Sequence, residues 1–327
     1  MTGEIQIAGA GPAGSAAAIA ALSEGAAVHI YERSRSPKHK VCGEFISHEA
    51  FRVLERLGVA RAFLESQPTV IRRCALHLGA RVKEWTLGEP AFGLSRLALD
   101  RLLLDHAVAA GARVSRGMAF HDAECGDPVI VASGRRGSRS RGGRLFGFKA
   151  HFSGPVTDSV HLFFTRFGYV GTSAVEGGET NVCGLAPEEE LRRYGFEVEA
   201  LLASEQELSA HLRPLSRRMR WLTTGPLAFS RVPNDEQRVY LAGDGLGFID
   251  PFTGSGILNA LLTGRLAGIA AATGKSAAEH LRSCARLLDG PFAISAAFRA
   301  VLRTRVRELA VLIPGSWLYK VTRAGNA

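Results

Sequence analysis

Residues 4–8 alternate polar and apolar and then turn wholly apolar, the pattern of a buried strand running straight into a glycine-rich turn. Residues 15–22 are a nearly unbroken alanine run carrying Ile19 and Leu22, which predicts a helix packed closely on a sheet. Residues 28–31 predict a second strand that ends at Glu32, so the chain opens with one strand–helix–strand unit. Far downstream, residues 239–242 predict another short buried strand that stops at Gly243-Asp244, and an alanine- and leucine-rich helix is expected over 258–273. Between these segments the pattern changes. Residues 71–94 and 145–230 hold short runs rich in Val, Phe and Thr; 160–164, 169–175 and 180–185 predict neighbouring strands joined by glycine turns, and a charged helix is expected over 187–208.

The expected fold class is therefore α/β: a discontinuous nucleotide-binding domain over 1–70, 94–144 and 231–284, an inserted and mostly antiparallel sheet domain for substrate over 71–93 and 145–230, and a helical segment over 285–327.

The turn between the first strand and helix reads Gly9-Ala10-Gly11-Pro12-Ala13-Gly14. Gly9 permits the tight turn, Gly11 lets the backbone approach a pyrophosphate, and Gly14 lets helix and strand touch; the helix N-terminus then offers free N–H groups to phosphate oxygens. Glu32, about 20 residues further on, sits where an acid accepts from the ribose hydroxyls, and Arg33 follows it. A carboxylate there repels a 2′-phosphate. The second strand and glycine loop at Gly243-Asp244, with residues 250–257 behind them, would be superfluous for NAD but suit FAD. Asp244 would take the ribityl hydroxyls, and the N–H groups after Pro251, at Gly254, Ser255, Gly256 and Ile257, would face the flavin ring. Asp244 also reads as a helix-capping acid, and 251–256 as an ordinary glycine loop.

Length and composition leave room for this arrangement: 327 residues, 46% of them hydrophobic, with no uncharged apolar run of about 18 residues to cross a membrane. No signal peptide is read at the start, so a cytoplasmic protein is expected. Five scattered cysteines suit reduced thiols rather than a disulfide framework, and no Cys/His spacing calls for a metal. The net charge of +9 gathers in Arg135, Arg136, Arg139, Arg141 and Arg144, within a Gly/Ser-rich stretch that lacks interleaved aromatics; it reads as a solvated loop, and no nucleic-acid partner is expected. Phe292, Ile294, Phe298, Val301 and Leu302, interleaved with Arg299, Arg303, Arg305 and Arg307, form a basic amphipathic pattern, followed by Ile313, Trp317, Leu318 and Tyr319. That pattern suits a helix packed on the body or one resting at the periphery of an acidic membrane. The oligomeric state is not encoded in any of these patterns.

The glycine turn with Glu32, the segment Lys40-Val41-Cys42-Gly43-Glu44, the stretch Ser95-Arg96-Leu97 with Asp100-Arg101-Leu102-Leu103, the element Ala132-Ser133-Gly134-Arg135, and Gly243-Asp244 with residues 251–257 together resemble the geranylgeranyl-reductase-like branch of the p-hydroxybenzoate-hydroxylase-type flavoproteins. The resemblance covers most of residues 1–275. It implies a glutathione-reductase-type FAD fold, with Arg96 near the ribityl or phosphate portion, the chain at Met118 against adenine, and Cys42 and Gly43 close to the flavin. Tyr169 begins the stretch comparable to the family's Tyr-x-Trp-x-Phe-Pro pattern, whose tryptophan, phenylalanine and proline are missing here, and Ser133-Gly134 stands where hydroxylases often carry Asp-Gly.

Flavin performs the electron chemistry, and with one dinucleotide fold NAD(P)H is expected only as a transient donor. The candidate catalytic residues are Cys42, as a proton donor or equally a small buried hydrophobe, Glu44, as an acid or a loop carboxylate, and Tyr169, as a catalyst or a packing residue. The reading favoured by sequence is a monooxygenase acting on a small apolar, aromatic or polyketide-like metabolite; the alternatives are a reductase of isoprenoid or lipid double bonds and a flavin-holding electron-transfer protein.

Overall fold

A computed structural model describes residues 3–120, 128–134, 144–227, 239–247, 251–302 and 314–324. Cys125, Arg135, Arg136, Arg139, Arg141, Asp250, Arg303, Arg305, Arg307 and Ile313 lie outside them.

The glycine turn does what its spacing demands. Strand β1 (Ile5–Ala8) enters it fully buried, and helix α1 (Pro12–Ser23) leaves it with Pro12 at its first turn, where a missing N–H costs nothing. Strand β2 (Val28–Glu32) pairs with β1 in parallel. Chain order then brings β3 (Phe45–Ile46), α2 (His48–Arg56), α3 (Ala60–Glu65), β4 (Thr69–Leu78), β5 (Arg81–Gly93), α4 (Arg96–Ala109), β6 (Arg113–Arg116) and β7 (Val129–Val131). The second half runs β8 (Leu145–Ser153), β9 (Ser159–Phe164), β10 (Tyr169–Val175), β11 (Glu179–Pro187), α5 (Glu188–Arg193), α6 (Val198–Ala203), α7 (Gln206–Leu212), β12 (Ser216–Arg217), β13 (Leu222–Leu227), β14 (Val239–Leu241), α8 (Gly256–Ala272), α9 (Ala277–Leu302) and α10 (Gly315–Val321).

Two sheets result. The first is parallel, in the order β14-β7-β1-β2-β6, and the buried alanines of α1 pack upon it. The second, β12-β8-β11-β10-β9-β4-β5-β3 with β13 also on β8, is antiparallel except where β4 lies parallel to β9. The expected class, a parallel flavin-type sheet with a mostly antiparallel sheet inserted, is the one observed.

Helix α8 closes the first layer over α1. Gly264 and Gly268 make that approach possible: a Cβ at Gly264 would stand 2.1 Å from the Ala13 carbonyl oxygen, and one at Gly268 would stand 2.2 Å from that of Ala17. Segment 71–94 proves to be the larger part of one long hairpin, β4 with β5, rather than several short strands. The single charged helix expected over 187–208 is instead three short helices. Gly195 and Phe196 both take positive φ, 64° and 62°, which no continuous right-handed helix accommodates.

Candidate functional site

One continuous cavity of about 1480 Å³ runs between the two sheets. Its nucleotide-side wall is Gly9, Gly11, Pro12 and Ala13 with Glu32 and Arg33; its far wall includes Gly243, Asp244, Gly254, Gly256 and Ile257. Glu32 and Asp244, which belong to opposite ends of the chain, thus line the same space.

The glycines keep it open. Gly9 has φ 103°, and a Cβ on it would meet the Ala132 carbonyl oxygen at 2.6 Å; one on Gly14 would meet the Gly9 oxygen at 1.8 Å. Gly14 accordingly sits behind the cavity wall and lets the helix touch the turn. Glu32 anchors the turn itself, accepting from the Ala10 N–H at 3.0 Å and the Ser34 N–H at 2.8 Å. Burial alone would raise its pKa, but those donors and the nearby Lys40 charge outweigh burial and hold it below the ordinary carboxylate value.

Positive charge flanks Gly11. The point a Cβ would occupy there lies 3.7 Å from Arg96 Nη2 and 3.9 Å from Lys40 Nζ. Arg96 is set by Asp100, one turn along α4, through bonds of 2.7 and 3.0 Å, and Lys40 donates to the same carboxylate at 2.9 Å. Ser95 caps α4, accepting from the Ala98 N–H at 3.2 Å. Lys40 and Asp100 were present in the sequence motifs, but nothing local distinguished them as partners.

The Cys42–Glu44 loop lines the cavity, with Cys42, Gly43 and Glu44 all in its wall. Glu44 holds an unusual conformation, φ 55° on a non-glycine residue, and is completely buried. Its carboxylate takes the Arg96 N–H at 2.6 Å, His151 Nε2 at 2.7 Å and the Lys149 ammonium, while its own N–H points to Cys42 Sγ at 3.4 Å. Burial would raise the Glu44 pKa; His151 and Lys149 outweigh it and lower the value. Asn181 fixes the loop from the other side, donating to the Cys42 carbonyl at 3.0 Å. Glu44 is thus no solvent-facing loop acid. It is the keystone that carries Cys42 into the cavity.

Lys149 and His151 were missed in the sequence, although a signal exists. On β8 the buried Phe148, Ala150 and Phe152 alternate with Lys149 and His151, so the second face of an apolar strand is charged and equally dry. Ligand atoms of His39, Glu44 and His151 fall within 4.8 Å of one another, a spacing suited to a metal ion. The Lys149 ammonium on the same carboxylate already supplies the positive charge there.

Other expected residues are placed differently. Met118 donates its N–H to the Glu32 carbonyl at 3.2 Å and is 52% exposed; its neighbours Ala119 and Phe120 line the cavity in its stead. Ser255 is buried behind the wall, its hydroxyl donating to the Thr322 carbonyl at 3.0 Å, and Pro251 opens the short turn 251–253. Tyr169 lines the apolar side of the cavity with Leu76, Leu162, Phe164, Phe252 and Phe298. The resulting space has a glycine-lined wall flanked by Arg96 and Lys40 and an apolar wall, and the glycine-lined part suits FAD.

Comparison with known proteins agrees. Residues 2–140 match the family described as FAD binding domain. The chain is 30% identical over 317 residues to menaquinone reductase of Mycolicibacterium smegmatis, covering 81% of this chain and 75% of that protein. Among solved structures, the flavin-dependent halogenase CmlS superposes with a TM-score of 0.78 at 20% identity, covering 100% of this chain and 68% of that one. A flavoprotein/dehydrogenase from Cytophaga hutchinsonii gives 0.80 at 16% identity over 98% and 90%, and a geranylgeranyl bacteriochlorophyll reductase-like protein from Thermoplasma acidophilum gives 0.73 at 19% over 98% and 92%.

Proposed function

Because this chain belongs to the family of FAD-dependent oxidoreductases that includes menaquinone reductase, we propose that it is a flavin-dependent reductase of a carbon–carbon double bond in a lipophilic, quinone- or isoprenoid-type molecule. The observation that carries this reading is the Cys42 thiol in the wall of the cavity, on the loop held by the buried Glu44.

The residue roles follow from that placement. Gly9, Gly11 and the start of α1 receive the pyrophosphate, with Arg96 and Lys40 balancing its charge, and Glu32 takes the adenosine ribose. Asp244 takes the ribityl chain, and the N–H groups at Gly256 and Ile257 face the ring edge on which negative charge collects. When bound, FAD supplies the hydride that double-bond reduction needs. Cys42 supplies the proton to the neighbouring carbon and regains it from solvent once the product leaves, while the Glu44–His151–Glu179 chain, with His151 Nδ1 3.0 Å from the partly exposed Glu179, holds the loop that carries the thiol. Leu162, Phe164, Tyr169 and Phe252 keep water from the reacting bond, so Tyr169 acts as a wall. NAD(P)H docks transiently to reduce the cofactor.

None of the described helices is long and apolar enough to cross a membrane. Exposed Val301 and Trp317 offer a peripheral contact through which a lipid-borne substrate could be drawn.

The test is anaerobic. Protein loaded with FAD and chemically reduced is mixed with a prenylated quinone, and the product is weighed by mass spectrometry. Gain of two hydrogens that persists after the ring is reoxidised to the quinone supports the proposal, and Cys42→Ala should lower that turnover at least about tenfold while leaving FAD bound. Incorporation of labelled oxygen under air, with no anaerobic saturation, would restore the hydroxylase reading; bound flavin with neither reaction would leave an electron carrier.

A further inference from the structure

Cys42 has a second cysteine beside it. Cys183 stands directly opposite Lys149 of β8 in the sheet register and two positions after Asn181 along β11, so the three side chains share one face. That face is the one the 42–44 loop covers. Lys149 bonds the Glu44 carboxylate, Asn181 donates to the Cys42 carbonyl at 3.0 Å, and His151, opposite Asn181, meets Glu44 at 2.7 Å. On its other flank Cys183 pairs with Gly171, which puts no side chain between strand and loop. The Cys183 sulfur accordingly comes within reach of the Cys42 main-chain N–H, and both cysteines line the cavity. Each is a free thiol, partly exposed.

The two sulfurs are not equivalent. Cys42 Sγ takes the Glu44 N–H at 3.4 Å and has the Arg96 guanidinium as a neighbour. Around Cys183, removal from water first and the Cys42 sulfur second push the thiol well above its ordinary value, so it stays protonated and inert toward an oxidant on its own. Cys42 is therefore the sulfur that meets an oxidant first, and Cys183 is the one placed to resolve it.

We propose that Cys42 and Cys183 form a reversible, peroxide-driven disulfide across the contact between the loop and the sheet. The Cys42 sulfur attacks hydrogen peroxide, the O–O bond breaks, and one water leaves as Cys42 becomes a sulfenic acid. The Cys183 sulfur then displaces the hydroxyl: the S–O bond breaks, the Cys183 proton departs with the hydroxyl as a second water, and the S–S bond forms. In sum two thiols give up two electrons and two protons, and the peroxide becomes two waters. A dithiol reductant reverses the change by exchange. The bond ties the 42–44 loop to β11 and consumes the thiol that supplies the proton, so oxidation stops double-bond reduction; that consequence alone rests on the reductase reading above.

The test reads mass, so no turnover is needed. The full chain with FAD bound is treated with a small excess of hydrogen peroxide, denatured, alkylated with iodoacetamide and mapped as peptides without reductant. The expected result is loss of two hydrogens and a single link between the peptides that carry Cys42 and Cys183, undone by dithiothreitol. Cys74 and Cys284, whose thiols burial pushes up to about 12, should stay reduced. In Cys183→Ser the link should be absent and dimedone should trap Cys42 as the sulfenic acid. Oxidation of Cys42 in the parent with Cys183 left as a thiol, a link from Cys42 to any other cysteine, or full alkylation of both after peroxide overturns the proposal. If the link forms and the oxidised protein still saturates the double bond, the disulfide stands and the proton-donor role of Cys42 falls; if Cys42→Ala loses turnover and no link forms in the parent, the reverse holds.

Discussion

Arg96 and Asp100 meet through two parallel bonds on one face of α4, and the same carboxylate holds Lys40, so a single acid fixes both cations that flank Gly11. Arg96→Met removes one of those cations and leaves Asp100 facing the proposed pyrophosphate with only Lys40 to balance it. Both changes oppose a dianionic ligand, so the sign is settled. FAD affinity should fall at least about tenfold, and Lys40→Met, which removes the more exposed cation, should cost less. Fluorescence titration of deflavinated protein with FAD checks the order; equal affinity in parent and Arg96→Met would remove Arg96 from the site.

Helix α8 offers a test in which two effects compete. Alanine is a better helix former than glycine by about 1 kcal/mol, so Gly264→Ala should stabilise an unconstrained helix. Here the new Cβ would stand 2.1 Å from the Ala13 carbonyl oxygen, and that backbone also lines the cavity. Overpacking of this kind costs about 1–3 kcal/mol, enough to reverse the sign, and forcing α8 from α1 should loosen FAD as well. Gly290 in α9 is the control: a Cβ there meets nothing within 4 Å, and Gly290→Ala should be neutral or gain up to about 1 kcal/mol. Urea unfolding of both variants separates the two effects.

The parts of the site that sequence reveals are those whose chemistry is local. The turn from Gly9 to Gly14, the acid at Glu32 and the strand stop at Gly243-Asp244 each carry their reason within a few residues, because turn geometry and helix starts are short-range. The Glu44 keystone was hidden because its partners arrive from β8, and whether a loop carboxylate is solvated or dry depends on what the distant sheet lays over it. The expected helix over 187–208 failed at Gly195-Phe196, where two consecutive positive φ values override a charge pattern that was otherwise helical.

The Glu44–Lys149 pair should show the asymmetry of buried ions. Glu44→Gln leaves a fully buried ammonium without a carboxylate, and breaking a pair in this way costs about 3–5 kcal/mol. Adding Lys149→Met removes the stranded charge, so the double variant should be more stable than Glu44→Gln alone, with a coupling of about 1 kcal/mol or more. Additive losses in denaturant unfolding would mean that the two side chains do not interact. Because the folded Glu44 pKa is lowered, its contribution is present above the ordinary carboxylate value and is lost as pH falls.

A second acid response belongs to three histidines, His77 on β4, His161 on β9 and His211 on α7. His77 Nε2 lies 3.1 Å from His161 Nδ1, the His161 and His211 rings are 4.6 Å apart, and His211 Nε2 meets Thr172 Oγ1 at 3.0 Å. Burial first, and the neighbouring imidazoles second, lower each from 6.5 to about 4. The unfolded chain therefore binds more protons than the folded one between those values, and the stability present above pH 6.5 is lost as pH falls toward 4. All three retain some solvent contact, which discounts the effect to about 1 kcal/mol apiece, or roughly 5 °C of Tm together. Thermal melts of the FAD-loaded protein should be level above pH 6.5 and decline below it. His161→Gln, which removes the middle ring and relieves both neighbours, should flatten that decline while Glu44 still imposes its own loss at lower pH. A parent protein whose Tm holds steady from pH 7 to 4.5 would show that the three rings take up protons in the folded state as readily as in the unfolded chain.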